Sequence, residues 1–191
     1  MSDAGTPRPG RRSAKPPTPE RLKRRALYYL ERFAASRAHL GHVLARRALR
    51  DAAALDLPEA PVREAIETLL DELERLGLLD DRAYAEARAR RLAEKGKPPR
   101  RIAQDLASRG VDRALATAAT RALEEDSPNL ELETAIAFAR RRRLGPFARE
   151  AGGGRPPEKA LAAFARAGFS SAVARRVLAA ASIDELDGEA G

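Results

Sequence analysis

Apolar residues recur at intervals of three and four through most of this chain, and no stretch alternates convincingly enough to suggest a strand. Thr18-Pro19-Glu20 reads as a helix cap with proline at the first helical position, followed by Leu22, Ala26, Tyr29, Leu30 and Phe33 at helical spacing. Ser36 starts a second helix carrying Leu40, Val43, Leu44 and Ala48, which Leu55-Asp56-Leu57-Pro58 interrupts. From about Pro61 the most regular stripe of the chain runs through Val62, Ile66, Leu69, Leu70, Leu73 and Leu76. Gly77 is placed to stop it as a left-handed cap.

Asp80 or Asp81 then caps a helix over about 82–95, with Ala85, Ala89 and Leu92 on one face and Arg88, Arg91 and Lys95 on another. Gly96-Lys97-Pro98-Pro99 makes a basic turn, and a short helix from Arg100 to Arg109 is buried through Ile102 and Leu106. Gly110 ends that helix, and Asp112 caps the next through Leu115, Ala118, Ala119 and Leu123 to Ser127-Pro128. Leu132, Ile136, Ala139 and Arg140–Arg143 lie on a helix that Gly145-Pro146 should end, ahead of a loop containing Gly152-Gly153-Gly154. A helix with Leu161 and Phe164 follows, then Gly168-Phe169-Ser170 and a last helix with Val173, Val177 and Leu178.

Part of this pattern is a repeat. Ile102 to Asp112 (helix, glycine, one apolar residue, cap) reappears 58 positions later as Ala160 to Ser170. Repeated helical units of this size cannot each hold a core alone, so they stack into elongated surfaces. The expected fold is all-α: three tandem three-helix repeats over 19–77, 78–127 and 128–182. A disordered basic, Pro-rich tail over 1–18 precedes them, and a frayed acidic tail over 183–191 follows.

Composition narrows the classes. Apolar residues make up 43% of the 191 but aromatics only 4%, with no Trp, so burial must rest on Leu, Ala, Val and Ile. The absence of Cys excludes disulfides, thiolate metal sites and cysteine nucleophiles. No apolar run approaches the ~20 residues that span a bilayer, and the basic N-terminus lacks the apolar core of a secretory signal, so a cytoplasmic protein is expected. The net charge of +8 is unevenly spread. Residues 1–25 carry eight Lys/Arg against Asp3 and Glu20; Arg82–Arg113 holds ten basic to four acidic residues, and Arg140–Arg176 ten to two. Such patches favour nucleic acid or an acidic protein surface.

Within the first basic segment, Arg88, Arg91 and Lys95 follow i, i+3, i+7 and should share a helix face, joined by Lys97, Arg100 and Arg101 from the adjoining turn. Their guanidinium groups suit phosphates or a row of carboxylates. Arg140, Arg141, Arg142 and Arg143 point in every direction around one turn, so at least one must snorkel past apolar neighbours. Other features read as structural. His39 and His42 have no ligand partners at suitable spacing. Gly96-Lys97 lacks the upstream glycine and the Ser/Thr of a phosphate loop. Asp80-Asp81 is explained by capping, and Tyr84 is better placed as a core aromatic than as a base-stacking one.

Leu76-Gly77-Leu78-Leu79-Asp80-Asp81-Arg82-Ala83-Tyr84, Lys95-Gly96-Lys97-Pro98-Pro99-Arg100-Arg101-Ile102, Leu106 and Arg109-Gly110-Val111-Asp112 resemble the RecX regulatory family in order, spacing and cap residues. The resemblance covers essentially residues 20–182, from Ala26-Leu27-Tyr28-Tyr29-Leu30 to Phe164-Ala165-Arg166-Ala167-Gly168-Phe169. It implies a curved array of three three-helix repeats that binds the RecA recombinase and its single-stranded-DNA filament and inhibits ATPase, strand exchange and coprotease activity. It also implies a non-enzymatic, monomeric, cofactor-free protein in recombination, repair and the SOS response, making nonspecific DNA contacts. The matching basic positions are Arg90, Arg91, Lys95, Lys97, Arg100, Arg101 and Arg109. Arg88 stands where an apolar residue is common in the family, and Gly152-Gly153-Gly154 lengthens the third unit. The rival reading is a DNA-binding transcription regulator whose helix-turn-helix around Gly110 faces a groove with Arg113, Thr117, Thr120 and Arg121. A passive helical scaffold is the third.

Overall fold

The computed structural model describes residues 14–148, 157–182 and 185–186, and among these every regular element is helical. The expected Gly152–Gly154 loop and residues 1–13 of the tail lie outside the described residues. The chain divides into two units, one of residues 1–35 and 39–79, the other of 36–38 and 80–191.

The first unit is built from α1 (Pro19–Leu30), α2 (Arg37–Ala53, from His39 onward) and α3 (Glu59–Arg75). Leu40, Leu44, Ala48 and Ala52 form one line of α2, all fully buried, against Leu22 and Ala26 of α1 and Val62, Ile66, Leu69, Leu70 and Leu73 of α3. Side chains four apart share a helix face, so this line is the apolar stripe seen in the sequence. Asp51 is buried there and is paired: Arg47 Nε lies 3.2 Å from both of its oxygens, as a charge withdrawn from water requires. Three details differ from expectation. α3 starts at Glu59, two residues before Pro61; Leu76, the helix-ending residue, is exposed; and Phe33 lies beyond the end of α1, also exposed.

The second unit holds α4 (Asp81–Glu94), α5 (Pro99–Ser108) and α6 (Arg113–Asp126), then α7 (Leu130–Arg142), a 3-10 turn (Gly145–Phe147), α8 (Pro157–Ala167) and α9 (Ser171–Ala179). Around α4–α6 the core is small: Ala85, Ala89, Ile102, Leu106, Val111, Ala116 and Ala119. Alanines at the contacts let these helices approach closely, which compensates for the lack of large side chains. Around α7–α9 the core is aromatic, with the rings of Phe138, Phe164 and Phe169 packed at centroid distances of 5.0, 5.3 and 5.5 Å. Asp80, Asp112 and Ser170 cap α4, α6 and α9 by accepting from Ala83 N, Ala114 N and Val173 N; each such cap contributes about 1 kcal/mol.

Two features of this unit were not expected. α7 ends at Arg142, with Arg143 in the left-handed region (φ 55°), so the helix stops before Gly145-Pro146. Leu186 is fully buried in the aromatic core, within a segment expected to fray. The sequence repeat also acquires a physical meaning. Where α5 ends, buried Ser36 donates to the Arg109 carbonyl, and Ala38 packs against Gly110 so closely that an added Cβ would lie 2.4 Å from its own. Where α8 ends, Arg101 donates to the Arg166 carbonyl and its stem covers Gly168. Each glycine turn of the repeat is thus gripped by residues from at or near the start of an earlier helix.

Candidate functional site

α4 and α5 are joined face to face by an ion-pair cluster. Arg88 Nε donates to Asp105 Oδ1 at 2.5 Å, and Arg109 Nε lies 3.4 Å from the same oxygen, an ion-pair distance without hydrogen-bond geometry. Burial alone would raise the Asp105 carboxyl; the hydrogen bond from Arg88 and the charges of Arg88 and Arg109 outweigh it, and its pKa falls below the ordinary value. The hydrogen bond to Asp105 likewise raises Arg88 against the opposing effect of burial. Arg88 therefore turns into the helix–helix contact, whereas Arg91 and Lys95, expected on the same face, are exposed. Tyr84 packs half-buried against the same small core.

α7 brings the second basic segment to the end of α4. Arg141 donates to the Lys95 carbonyl, satisfying one of the acceptors a helix end leaves open. Gly96 sits against the α7 backbone itself. The four consecutive arginines fan out as expected. Arg140 and Arg142 hold their guanidinium carbons 5.3 and 5.8 Å from the rings of Phe147 and Phe138, and Arg143 is the exposed left-handed residue at the helix end.

The remaining candidates separate. Arg91 stands in the last turn of α4 and Lys95 follows as its capping residue, with its carbonyl accepting from Arg141. Lys97 and Arg101 line one cleft on the flank of α5 together with Leu92, Gln104, Asp105 and Ser108. Arg100 opens instead onto a cleft of about 440 Å³ shared with Glu124 and Glu131, and Arg90 projects outward 3.9 Å from Glu86. Among the described residues no ion pair engages Arg91, Lys95 or Lys97. Gln104 is the residue that sequence reasoning missed; its only signal was its position three after Arg101, whose guanidinium it accepts from at 2.7 Å.

Several other candidates resolve into structural roles. Asp80 caps α4 and Asp81 accepts from the Arg37 amide at 2.6 Å. Tyr29 and His39 share a hydrogen bond of 3.0 Å. Thr120 is buried and donates to the Ala116 carbonyl, so it cannot face a DNA groove; Arg121 is tied to Glu125 at 2.8 Å. No described helix is long and apolar enough to cross a membrane.

Residues 80–119, which contain α4, α5 and the start of α6, match the family model for RecX, second three-helix domain. The chain is 36% identical over 167 residues to regulatory protein RecX of Myxococcus xanthus, covering 84% of this chain and 86% of that one. The chain belongs to the RecX family. RecX of Thermobifida fusca is 33% identical over 180 residues, covering 90% of this chain and 84% of that protein. The crystal structure of RecX from Lactobacillus salivarius superposes with a TM-score of 0.57 at 22% identity, over 88% of this chain and 96% of the other, a likeness of fold. Another RecX crystal structure gives 0.56 at 24%, over 84% and 71%. These RecX relatives bear the name of regulatory proteins. The RecX segment matched by the family model also carries Arg91, Lys95, Lys97, Arg101 and Gln104.

Proposed function

We propose that this RecX protein is a non-enzymatic, cytoplasmic regulator that binds RecA and RecA–single-stranded-DNA filaments as a monomer. It inhibits RecA ATPase, strand exchange and coprotease activity, and so acts in recombination, DNA repair and the SOS response. The observation that carries this reading is the gathering of cations where α4 ends: Arg91, Lys95 and Lys97 are exposed and without an ion pair among the described residues, and Arg141 docks on the Lys95 carbonyl. Folding uses Arg88, Arg101 and Arg141 to lock helices together. It has no comparable use for Arg91, Lys95 and Lys97, which remain for an anionic partner. Nonspecific DNA contact by Arg91 and Lys95 weakens as salt rises, because binding releases counterions from phosphates.

The test is ATP hydrolysis by the cognate RecA on filaments preformed on single-stranded DNA, titrated with this protein. Inhibition below one protein per RecA, lost when Arg91, Lys95 and Lys97 are changed together to Glu, is the expected result. Absence of inhibition with intact binding to bare DNA would move the reading to a DNA-binding protein.

A further inference from the structure

The cleft on the flank of α5 has a volume of about 350 Å³ and a pre-arranged set of polar groups. Arg101 is held at two points, Nη1 on Gln104 Oε1 at 2.7 Å and Nη2 on the Arg166 carbonyl at 3.0 Å. A guanidinium has five N–H groups, so three remain to be offered. Because Gln104 Oε1 is occupied by Arg101, its amide is fixed with the NH2 end as the free donor. Lys97 adds a second cation at the rim. Asp105 also lines the cleft, but its charge is already met by Arg88 and Arg109, so it does not make the cleft hostile to an anion.

Two further walls define which anion fits. Leu92 contributes an apolar surface suited to an aliphatic stem. Ser108 has donated its hydroxyl hydrogen to the Asp105 carbonyl at 2.7 Å, leaving its oxygen as an acceptor. A phosphodiester brings no N–H to such an acceptor and no aliphatic stem to Leu92; an acidic residue in a peptide brings both. Resting on the reading above, we infer that this cleft receives one Glu or Asp side chain of the RecA filament. Lys97, Arg101 and the Gln104 amide hold its carboxylate, with its stem on Leu92 and its backbone N–H on Ser108. Arg91 and Lys95, outside this cleft, are the residues left for phosphate.

Two full-length variants test the assignment. Gln104→Glu replaces the amide donor by a like charge while still accepting from Arg101, and Lys97→Ala removes the rim cation at an exposed position. Binding is measured by biolayer interferometry on immobilised oligo(dT), either bare or carrying RecA assembled with a slowly hydrolysed ATP analogue. Each variant should lose about tenfold or more in affinity for the filament, the loss expected for one charge-assisted hydrogen bond, and stay within about twofold on bare oligo(dT). Equal losses on both surfaces would make the cleft a phosphate site and overturn the assignment. So would unchanged filament binding by both variants. Wild-type protein that binds bare oligo(dT) but not the filament would overturn the RecA reading first, and this assignment with it.

Discussion

Replacing Gly96 by alanine should weaken the second unit by about 2–5 kcal/mol. A Cβ built on Gly96 would lie 2.9 Å from Phe138 N, 2.9 Å from Thr134 O and 3.2 Å from Ala137 C. All three are backbone atoms of α7, so no rotamer change can relieve the overlap, and inserting a carbon into a well-packed contact typically costs about 1–3 kcal/mol. Gly96 also has φ +65°, where a side chain adds roughly 1–2 kcal/mol of strain. Gly77 separates the two contributions: its φ is +69°, and nothing lies within 4 Å of its virtual Cβ. Gly77→Ala should therefore lose only the strain. Equilibrium urea unfolding followed by far-UV circular dichroism measures both variants. If Gly96→Ala loses no more than Gly77→Ala, the α4–α5 turn is not packed on α7 as described, and the gathering of Arg141 with Lys95 goes with it.

Asp105→Asn should lose about 1–2 kcal/mol near neutral pH, because Arg88 is left half-buried without its counter-charge. The folded-state pKa of Asp105 is lowered, so its contribution is present above the unfolded-state value of about 3.9 and disappears as pH falls through the folded-state value. The gap between wild type and variant in urea titrations should close in strong acid and remain open at neutrality. Phe164→Ala empties the centre of the three-ring cluster and should cost about 3–5 kcal/mol, read as a large fall in thermal midpoint. Asp112→Ala removes the acceptor for the Ala114 and Leu115 amides and should cost about 1 kcal/mol by urea unfolding; a Ser replacement should restore most of it.

What the sequence revealed and what it hid follow one physical division. Helix positions and caps are local, governed by residues within one turn, and Asp112, Ser170 and the apolar lines of α2 and α3 were legible for that reason. Arg88 was grouped on one helix face with Arg91 and Lys95 because helical spacing describes one helix in isolation. Its partner, Asp105, lies on another helix, and only packing turns the side chain inward. Thr120 failed in the same way: position alone made it a groove-facing candidate, yet the core around Ala116 and Ala119 takes it in. The end of α7 was set too late because Gly145-Pro146 is the stronger local signal, whereas Arg143 itself adopts the left-handed turn. Leu186 stands among Asp184, Glu185, Asp187 and Glu189, and that run of acids masked its burial. Gln104 became visible only once Arg101 was seen to orient it.

The grip of Ser36 and Ala38 on the end of α5 bears on how this protein can be dissected. Because residues 36–38 belong to the second unit while 39–79 belong to the first, that unit is discontinuous along the chain. No single cleavage, by protease or by cloning boundary, can release both units intact. A fragment beginning at residue 80 would lack the buried serine that satisfies the Arg109 carbonyl, and would leave the Gly110 turn uncovered. Starting upstream of residue 36 retains the serine but carries severed pieces of the first core. Limited proteolysis after residue 79 should therefore leave a nicked complex whose two pieces copurify, the first still holding residues 36–38 of the second unit.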